Sequence, residues 1–566
     1  MPKLLWLMLL LLLVGVSTKD GIQELKLPIG RQSLDASSTN RFSTGEKYLH
    51  IDNVKTQPDQ QRLTFDVSWD ASWRVGDEFD AAWIFIKSKD KNGDWSPVSL
   101  KQQTAVVLAN FSSDKAAAAL DISPDGMGIM VSRKMDGVGD NYWKVGIQIA
   151  VNPTKVPVAF RVFGLEMVQV SAGAYELGTL KGESARRAAL TQGAGGAPYN
   201  PFFKFDQKAK DDYGGIFKVT SEDPISIGKE DGLLYWKDAN IPGTNTFSGT
   251  PKGVLSEKFP KGVKGFFQMK YELSQKEYCD FLNTLSPLQQ KARDITSTKE
   301  FNRPISDYRN AITYEDGEYT TTRPFRPCNF ISWLDGQAYA DWAGLRHMTE
   351  LEFEKACRGP KPAVYREYVW GVNEINEGSN MRYSTTLYNG EQVAQKELGN
   401  ETTDGNIHAS MFSYYNYIDV CTTAGRFYDP QCAGCRSFTG GDGGRGPVCK
   451  GIFGKTSKGN RIKAGATYYG AMEMGGNLQE PVVTVGHPSG RKFEGTHGDG
   501  LLDVNGLANN LDWQPINQEY AFAGRGGCWK FHENHARTAD RFKGLRKNEN
   551  RRAAHIGFRG VRTNWK

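Results

Sequence analysis

Alternating apolar and polar residues mark the first folded part of the chain. Leu63, Phe65, Val67 and Trp69 are separated by single polar residues, so they would lie on one face of a β-strand with polar side chains on the other. Residues 81–86 are apolar without interruption, a pattern that predicts a central strand covered on both faces. The N-terminal region is therefore expected to consist of β-structure.

Two more strands are predicted at 142–151 and 156–162, and turn sequences separate the apolar segments. Together these patterns predict a β-sandwich domain over 46–163, about 100 residues being a usual size for that architecture. Its tryptophans could line a carbohydrate site, but packing in the core is the favoured interpretation. The tryptophans concerned are Trp69, Trp73 and Trp83.

Three segments carry the sequence signature of a helix start, the capping box. In this motif a Ser or Thr and an acidic residue three positions later each bond the other's backbone N–H group. The pairs with this spacing are Ser274 with Glu277, Ser332 with Asp335, and Thr349 with Glu352. Gly344 and Gly359 would end the second and third of these helices.

The remaining segments lack a clear period. Residues 18–45 are polar and rich in Ser and Thr, and are predicted to be a leader or linker. A Gly- and Lys-rich stretch near 180–260 is predicted to be a surface insertion with a few short strands. Loops, glycines and short strands are expected from residue 360 onwards.

The N-terminus has the organisation of an export signal. Lys3 precedes an unbroken apolar run from Leu4 to Val16, which is too short to span a bilayer comfortably. Small residues follow where a signal peptidase would cut, so residues 1–17 are predicted to be a cleaved signal peptide, with an uncleaved anchor as the alternative. The mature chain is then expected to be periplasmic, outer-membrane-associated or extracellular, without a transmembrane segment.

Charge and cysteine content narrow the possible partners. The net charge of +6 over 566 residues is mild, and there is no basic stripe that would neutralise phosphates, so nucleic acid is not expected as a partner. All eight cysteines follow residue 270, and an even number in an exported chain favours disulfides. Half of them form a cluster, for which two local disulfides are favoured over a zinc site. The clustered cysteines are Cys421, Cys432, Cys435 and Cys449.

A series of short motifs is spread over the chain after residue 165. They are MKYELS at 269–274, NFISW at 329–333, AYADWAGLR at 338–346, TELEFEKA at 349–356, YVWG at 368–371, GNLQE at 476–480, RGGCW at 525–529 and GFR at 557–559. In content and order they resemble the formylglycine-generating enzyme, or sulfatase-modifying factor, family. The resemblance covers about 165–566, with insertions near 180–260 and 405–465. It implies an α+β, C-type-lectin-like domain with little regular secondary structure behind the β-sandwich.

The resemblance also implies which chemistry to look for. The aerobic enzyme of the family binds copper through two cysteines, three and eight residues after the serine of its GGSW motif. Counted from Cys528, these positions hold Phe531 and Ala536, and neither side chain can ligate a metal. No copper and no catalytic residues are therefore expected. Trp529, Phe531 and Arg541 would line the pocket at this place.

Two other metal sites are possible from the sequence. Cys528, His532 and His535 could hold zinc, copper or iron if the segment curled to bring them together; the alternative is a buried thiol beside two surface histidines. The family implies a structural calcium at the Asn and Glu of GNxxE, which are Asn477 and Glu480 here.

Asn380 would contribute to a second calcium site of this kind. The alternative to the first site is that Asn477 caps a turn while Glu480 pairs with an arginine. Arginines near the end of the chain are expected to pair with carboxylates of the central helices rather than to form a basic patch. They are Arg525, Arg537, Arg541, Arg559 and Arg562.

The favoured function is an exported scaffold or binding protein of the cell envelope or extracellular space. Its partners would be other envelope or extracellular proteins, or further copies of itself. The resemblance extends to gliding-motility and type IX secretion proteins and to exported Bacteroidetes proteins of this family, which implies a place in a secretion, gliding or surface assembly. The alternative is a metal-dependent oxidoreductase that uses Cys528, His532 and His535.

Overall fold

The computed structural model describes residues 48–57, 61–150, 157–184, 202–204, 213–236, 249–375, 446–454, 460–531, 533–542, 545–547 and 550–565. The predicted signal peptide, 1–17, and the leader, 18–45, lie outside these ranges. Among the described helices, none is long and apolar enough to cross a membrane.

The N-terminal region is rich in β-structure, as the sequence predicts. Its strands are β1 (His50–Gln57), β2 (Arg62–Val75), β3 (Glu78–Lys89), β4 (Trp95–Pro97), β5 (Val106–Asn110), β6 (Ala118–Ile122), β7 (Gly128–Arg133), β8 (Gly137–Gln148) and β9 (Ala159–Val170). Strands β1, β2, β8 and β5 are antiparallel neighbours in that order. Strand β3 lies between β7 and β9, and it joins β2 through the hairpin at its start.

Strand β3 is covered on both faces, which confirms the prediction from its apolar sequence. Ile84 and its alternating neighbours pack against β2 and β8 in one apolar core. Trp83 and Phe85 belong to a second core, which they share with the C-terminal part of the chain. Trp83 donates a hydrogen bond from Nε1 to the carbonyl of Ala343 at 2.8 Å.

The tryptophans of this region pack in the interior. Trp69, Trp73 and Trp83 are each no more than 2% exposed. Burial of this degree supports core packing over a carbohydrate site, because a sugar-binding ring has to present one face to the solvent.

The predicted boundary between the two domains, at 163–165, falls inside β9. This strand pairs with β3 from Ala159 to Val168 and continues to Val170 beside a strand of the C-terminal part. Gly164 interrupts the apolar pattern for a packing reason, because a Cβ there would lie within 3 Å of Leu49, Ile51 and Ile84. One sheet therefore crosses the expected boundary.

The rest of the chain contributes short strands. They are β10 (Tyr175–Ser184), β11 (Phe202–Lys204), β12 (Tyr213–Val219), β13 (Ile225–Ile227), β14 (Leu234–Trp236), β15 (Gly253–Leu255), β16 (Phe266–Met269), β17 (Lys299–Glu300), β18 (Arg303–Pro304), β19 (Ile312–Glu315), β20 (Glu318–Thr321), β21 (Arg346–His347), β22 (Glu480–Val483), β23 (Phe522–Arg525) and β24 (Gly560–Thr563). Strand β16 extends the large sheet from β9, followed by β24 and β21. Strands β22 and β23 form a separate pair.

Four α-helices lie in the described residues, and all three predicted capping boxes are present. The helices are α1 (Gln275–Leu282), α2 (Pro287–Arg293), α3 (Trp333–Trp342) and α4 (Glu350–Arg358). At the start of α4, the backbone N–H of Glu352 donates to Thr349 Oγ1 at 3.2 Å, and the N–H of Thr349 donates to Glu352 Oε2 at 3.0 Å. Gly344 and Gly359 follow α3 and α4 with positive φ, as predicted.

Candidate functional site

Two carboxylates of α4 form the centre of a buried charge network. Because α4 begins at the Thr349 cap, Glu350 and Glu354 lie one turn apart on the same face. Arg525 Nη1 lies 3.4 Å from Glu350 Oε2, and its Nη2 lies 3.3 Å from Glu354 Oε1. Arg541 is closer, with Nε 2.5 Å from Glu350 Oε2 and Nη1 2.6 Å from Glu354 Oε1. All four charged side chains are completely buried.

Glu354 stays ionised at neutral pH in this network. Burial alone would raise the pKa of Glu354, but Arg541, Arg525 and Arg358 outweigh burial and hold that pKa below its ordinary value. An ionised carboxylate fixed by several guanidinium groups is suited to holding the fold together rather than to proton transfer. The expectation that these arginines are structural is therefore supported for Arg525 and Arg541.

The other arginines at the end of the chain find partners elsewhere. Glu480 on β22 pairs with Arg559, Asp125 of the N-terminal region pairs with Arg562, and the backbone carbonyl of Arg366 accepts from Arg537. The expected pairing with helix carboxylates thus does not extend to Arg559 and Arg562. Arg562 connects the two parts of the chain instead.

The GNLQE segment forms a tight turn over Glu272. Gly476 and Asn477 both have positive φ, 85° and 52°. Asn477 Oδ1 accepts the N–H of Val448 at 2.9 Å, and Asn477 Nδ2 donates to Glu272 Oε2 at 2.6 Å. The N–H of Leu478 donates to Glu272 Oε1 at 2.8 Å. The turn is therefore built around a buried carboxyl group.

Three buried carboxyl groups share the charge of Arg559 at this place. Arg559 Nε lies 2.7 Å from Glu480 Oε1, whereas Glu473 Oε1 accepts the N–H of Gly451 at 2.9 Å. Burial raises the pKa of Glu473 to about 8 and also raises that of Glu480, although Arg559 opposes the shift in both. The pKa of Glu272 lies well above its ordinary value because of burial and the nearby charge of Glu480.

The predicted calcium ligands have protein partners in this structure. The Asn477 side chain accepts the N–H of Val448 and donates to Glu272 rather than capping a turn, whereas Glu480 pairs with Arg559, as its alternative expected. Across the described residues, no three His, Cys, Asp or Glu side chains are grouped so that they could hold a metal ion. Asn380 lies outside the described residues. The calcium site therefore stays a prediction.

The segment after Cys528 is packed rather than open. Trp529 is completely buried, and its Nε1 donates to the carbonyl of Ala554 at 3.0 Å. Phe531 stacks edge-on against His535 and His555, with ring centroids 5.9 Å and 5.2 Å apart. Of the three residues predicted to line a pocket, only Phe531 is partly exposed, because Trp529 and Arg541 are enclosed by protein.

The positions that the resemblance assigns to the copper ligands are filled by apolar contacts. Ala536 is completely buried in an apolar cluster that includes Val369 and Trp370. His535 Nδ1 lies 3.2 Å from Asp540 Oδ2, and its ring lies 4.3 Å from that of Phe542. His532 lies outside the described residues, so the Cys528–His532–His535 cluster stays a prediction.

The cysteine predictions fall mainly outside the described residues. Cys421, Cys432 and Cys435 all lie there. Cys449 is buried, with its Sγ 3.3 Å from the hydroxyl of Tyr48. Within the described part of the chain, no two cysteines are joined by a disulfide.

Sequence reasoning missed two buried acidic residues, Glu272 and Glu473, and one buried lysine, Lys270. Glu272 lies inside the MKYELS motif, between apolar residues, and that context is the signal that it is buried. Lys270 Nζ lies 3.3 Å from Asp80 and 3.4 Å from Glu166. Nothing local in the sequence indicates this contact, because its partners precede it by 190 and 104 positions.

Comparison with known proteins places this site in a family. Residues 256–564 match the family model described as a sulfatase-modifying factor enzyme 1-like domain. The match begins later than residue 165, where the resemblance was expected to start.

Similar proteins include enzymes of two named kinds. A formylglycine-generating enzyme of Streptomyces coelicolor is 45% identical over 62 residues, which are 11% of this chain and 19% of that enzyme. A hercynine oxygenase of Mycobacterium tuberculosis is 45% identical over 49 residues, 8% of this chain and 12% of that protein. A formylglycine-generating enzyme of Bos taurus is 28% identical over 130 residues, 19% of this chain and 34% of the enzyme. The chain thus spans only a minor part of each relative it matches.

Proposed function

Because the chain belongs to the sulfatase-modifying factor enzyme 1-like family through residues 256–564, we propose that its C-terminal part keeps the family's scaffold as a binding module without copper-dependent oxidation. The observation that carries the proposal is the occupancy of the two expected cysteine positions. Phe531 packs between two histidine rings, and Ala536 is buried among apolar residues. Neither side chain offers a donor atom to a soft metal ion.

The remaining polar groups near these positions support a structural role. Arg525 and Arg541 are held by Glu350 and Glu354, with every charge at the centre of the network opposed by another. A catalytic acid or base needs a pKa near the working pH and access to its substrate. Side chains that are ionised, paired and fully enclosed have neither property.

The test is an oxidation assay on the mature full-length chain. The protein is loaded with Cu(I) and mixed with a cysteine-containing peptide, while an electrode follows dioxygen and mass spectrometry follows conversion of the thiol to an aldehyde. An active formylglycine-generating enzyme serves as the positive control. We expect neither dioxygen consumption nor aldehyde. Aldehyde formation above the copper-only background would overturn the proposal.

Metal analysis of the same preparation distinguishes the oxidoreductase alternative. We expect no stoichiometric copper, iron or zinc in the native protein, and no difference between the native chain and Cys528→Ser. A stoichiometric transition metal that is lost in Cys528→Ser would instead favour the redox function through Cys528, His532 and His535.

A structural calcium ion belongs to the same proposal. Asn477 and Glu480 offer oxygen atoms beside the buried carboxyl groups, Asn380 would complete a second site, and oxygen donors suit a hard cation. Equilibrium dialysis with radioactive calcium tests this. We expect about one or two bound ions per chain, and loss of one in Asn477→Ala. No binding at millimolar calcium would refute it.

We further place the protein outside the cytoplasm, as a component of an envelope or surface assembly with protein partners or further copies of itself. The apolar run after Lys3 supports export. Cell fractionation followed by mass spectrometry of the N-terminal peptide tests it, with cleavage near residue 17 expected. A cytoplasmic chain that keeps residues 1–17 would contradict this placement, and a cross-linked pull-down from the envelope would identify partners.

A further inference from the structure

A groove separates the N-terminal strands from the helices of the C-terminal part. A cavity of about 420 Å³ lies between β9 on one side and α1 and α3 on the other. Three of its wall residues, Phe85, Phe163 and Trp342, contact one another with ring centroids 4.9–5.4 Å apart. A second cavity of about 520 Å³ shares Phe163 and Asp280 with the first. The two cavities are neighbours with shared wall residues, and we call them together the interdomain groove.

Tyr339 presents a buried polar group to this groove. The side chain lines the cavity of about 420 Å³ from α3, and the residue is 0% exposed. Its hydroxyl has no hydrogen-bond partner among the described residues. Buried hydroxyl groups in folded proteins nearly always have a partner, so an unsatisfied one at a cavity wall is suited to bond a bound molecule or an ordered water.

Acidic side chains outnumber lysines around the same cavity. The carboxylates are Asp52, Glu166, Glu277 and Asp280, and the lysines are Lys276 and Lys450. Glu277 and Asp280 lie three positions apart on α1 and hence on one face of that helix. The charges of both act on Tyr339 and, after burial, are the largest causes of its raised pKa. Because Glu166 is paired with the buried Lys270, three carboxylates remain against two lysines, and the polar end of the groove has a net negative charge.

Asp280 can exchange its present partner for a ligand. It bonds Lys276 at 2.7 Å, but this lysine side chain is 58% exposed and that of Asp280 is 32% exposed. Ion pairs with this much solvent contact contribute little stability. Glu277 is held more firmly, because it caps α1 and its Oε1 lies 3.1 Å from Lys450 Nζ, whose side chain is 6% exposed.

We propose that the interdomain groove binds a small organic ammonium compound with an aromatic or aliphatic body. The body would pack on Phe85, Phe163 and Trp342, where aromatic faces also attract a cation. The ammonium group would donate hydrogen bonds to Tyr339 Oη and Asp280. This names the ligand class of the proposed binding module, and it uses none of the residues at the expected copper positions.

The experiment compares three probes that share a phenyl ring and differ in charge. Phenethylamine, 2-phenylethanol and 3-phenylpropanoate are titrated into the mature full-length chain and followed by saturation-transfer NMR and calorimetry. We expect phenethylamine to bind about tenfold more tightly than the alcohol, and the acid not to bind. In Asp280→Asn, the ratio of the affinity for the amine to that for the alcohol should fall to about one.

A matched pair of hydroxyl deletions separates binding from folding. Tyr339→Phe removes an unsatisfied hydroxyl, so the unfolding temperature should stay the same or rise. The affinity for phenethylamine should decrease at least about threefold. Tyr278→Phe on α1 removes a hydroxyl that donates to the carbonyl of Arg293 at 2.8 Å. This control should lower stability and leave the affinity unchanged.

Two results would overturn the inference. One is that none of the three probes binds at millimolar concentration. The other is that Tyr339→Phe and Tyr278→Phe change phenethylamine binding equally. These outcomes are independent of the oxidation assay, because a chain that forms aldehyde can still bind an amine in this groove, and a chain that forms none can fail to bind one.

Discussion

Glu473 illustrates how burial at a single residue sets a dependence on pH. Its pKa is raised to about 8, mainly by burial, so the folded state keeps a proton that the unfolded chain releases near pH 4.5. The folded state thus binds more protons between these values, and its stability decreases as the pH rises through this window. The full penalty above pH 8 is roughly 4–5 kcal/mol.

We predict that Glu473→Gln removes much of this pH dependence. Glutamine keeps an oxygen that can accept the N–H of Gly451 and carries no charge at any pH. Urea unfolding at pH 5, 6, 7 and 8, in EDTA, should show a variant that is close to the native chain at pH 5 and more stable at pH 8. Glu494→Gln is the control, since the Glu494 side chain is 44% exposed. Equal pH slopes in Glu473→Gln and the native chain would refute the prediction.

Arg541 provides a second test at the residue scale. It neutralises Glu350 and Glu354 in a site without solvent, so Arg541→Met leaves two carboxylates with one arginine fewer between them. We expect a loss of about 3–5 kcal/mol in the free energy of unfolding, measured by urea titration at pH 7. Lys258→Met breaks the exposed pair with Glu494 and should cost less than about 1 kcal/mol. Similar losses in the two variants would contradict the difference that we assign to burial.

At the scale of elements, local chemistry determines the helices and long-range pairing determines the strands. The starts of α1, α3 and α4 could be predicted because a capping box lies within four consecutive residues. The sequence analysis did not predict helix α2, although Ser286 lies directly before its first residue, Pro287. The N–H of Ser286 donates to Gln289 Oε1 at 3.0 Å, as in a capping box.

Strand β9 crosses the expected domain boundary because its pairing depends on distant segments of the chain. Its register is set by β3, some eighty residues earlier, and by β16, about a hundred residues later. The buried contacts of Lys270 could not be predicted from the sequence for the same reason. In the candidate site, motif spacing located Asn477, Glu480, Phe531 and Ala536, but it could not show that Glu272 would occupy the centre of the turn.

A cap substitution tests the local part of this explanation. Thr349 Oγ1 accepts the N–H of Glu352 and donates to the carbonyl of Pro260 at 2.9 Å. We expect Thr349→Ala to lower the free energy of unfolding by about 1–2 kcal/mol, and Thr349→Ser to retain most of it because the hydroxyl remains. Thermal unfolding followed by circular dichroism measures both. If serine were no better than alanine, the lost methyl group rather than the cap would be responsible.

For the whole molecule, the shared sheet makes the two predicted domains dependent on each other. Trp83 and Phe85 on β3 face the C-terminal core, so an isolated fragment 46–163 would expose them and would also lose the second half of β9. We predict that this fragment does not form a stable fold. A dispersed, protected amide spectrum of the fragment by NMR would show that the N-terminal region is independent.

Lys270 tests the same dependence within the intact chain. Burial lowers its pKa, but Tyr271, Asp80 and Glu166 outweigh burial and raise the pKa above its ordinary value, so the ammonium stays charged. Asp80 also accepts Ser72 Oγ–H at 2.7 Å and Trp69 Nε1–H at 3.1 Å, and Trp69 belongs to the first core, so the lysine is tied to that core.

Removing this one cation should therefore destabilise both parts together. In Lys270→Met we expect a loss of about 3–5 kcal/mol, because two carboxylates remain buried near each other without their cation. Calorimetry should show a single transition at a lower temperature, and hydrogen exchange should increase in β3 and in α4 alike. Lys258→Met, which breaks an exposed pair, is the control. Two separate transitions, with only the N-terminal strands losing protection, would mean that the shared sheet does not couple the two parts.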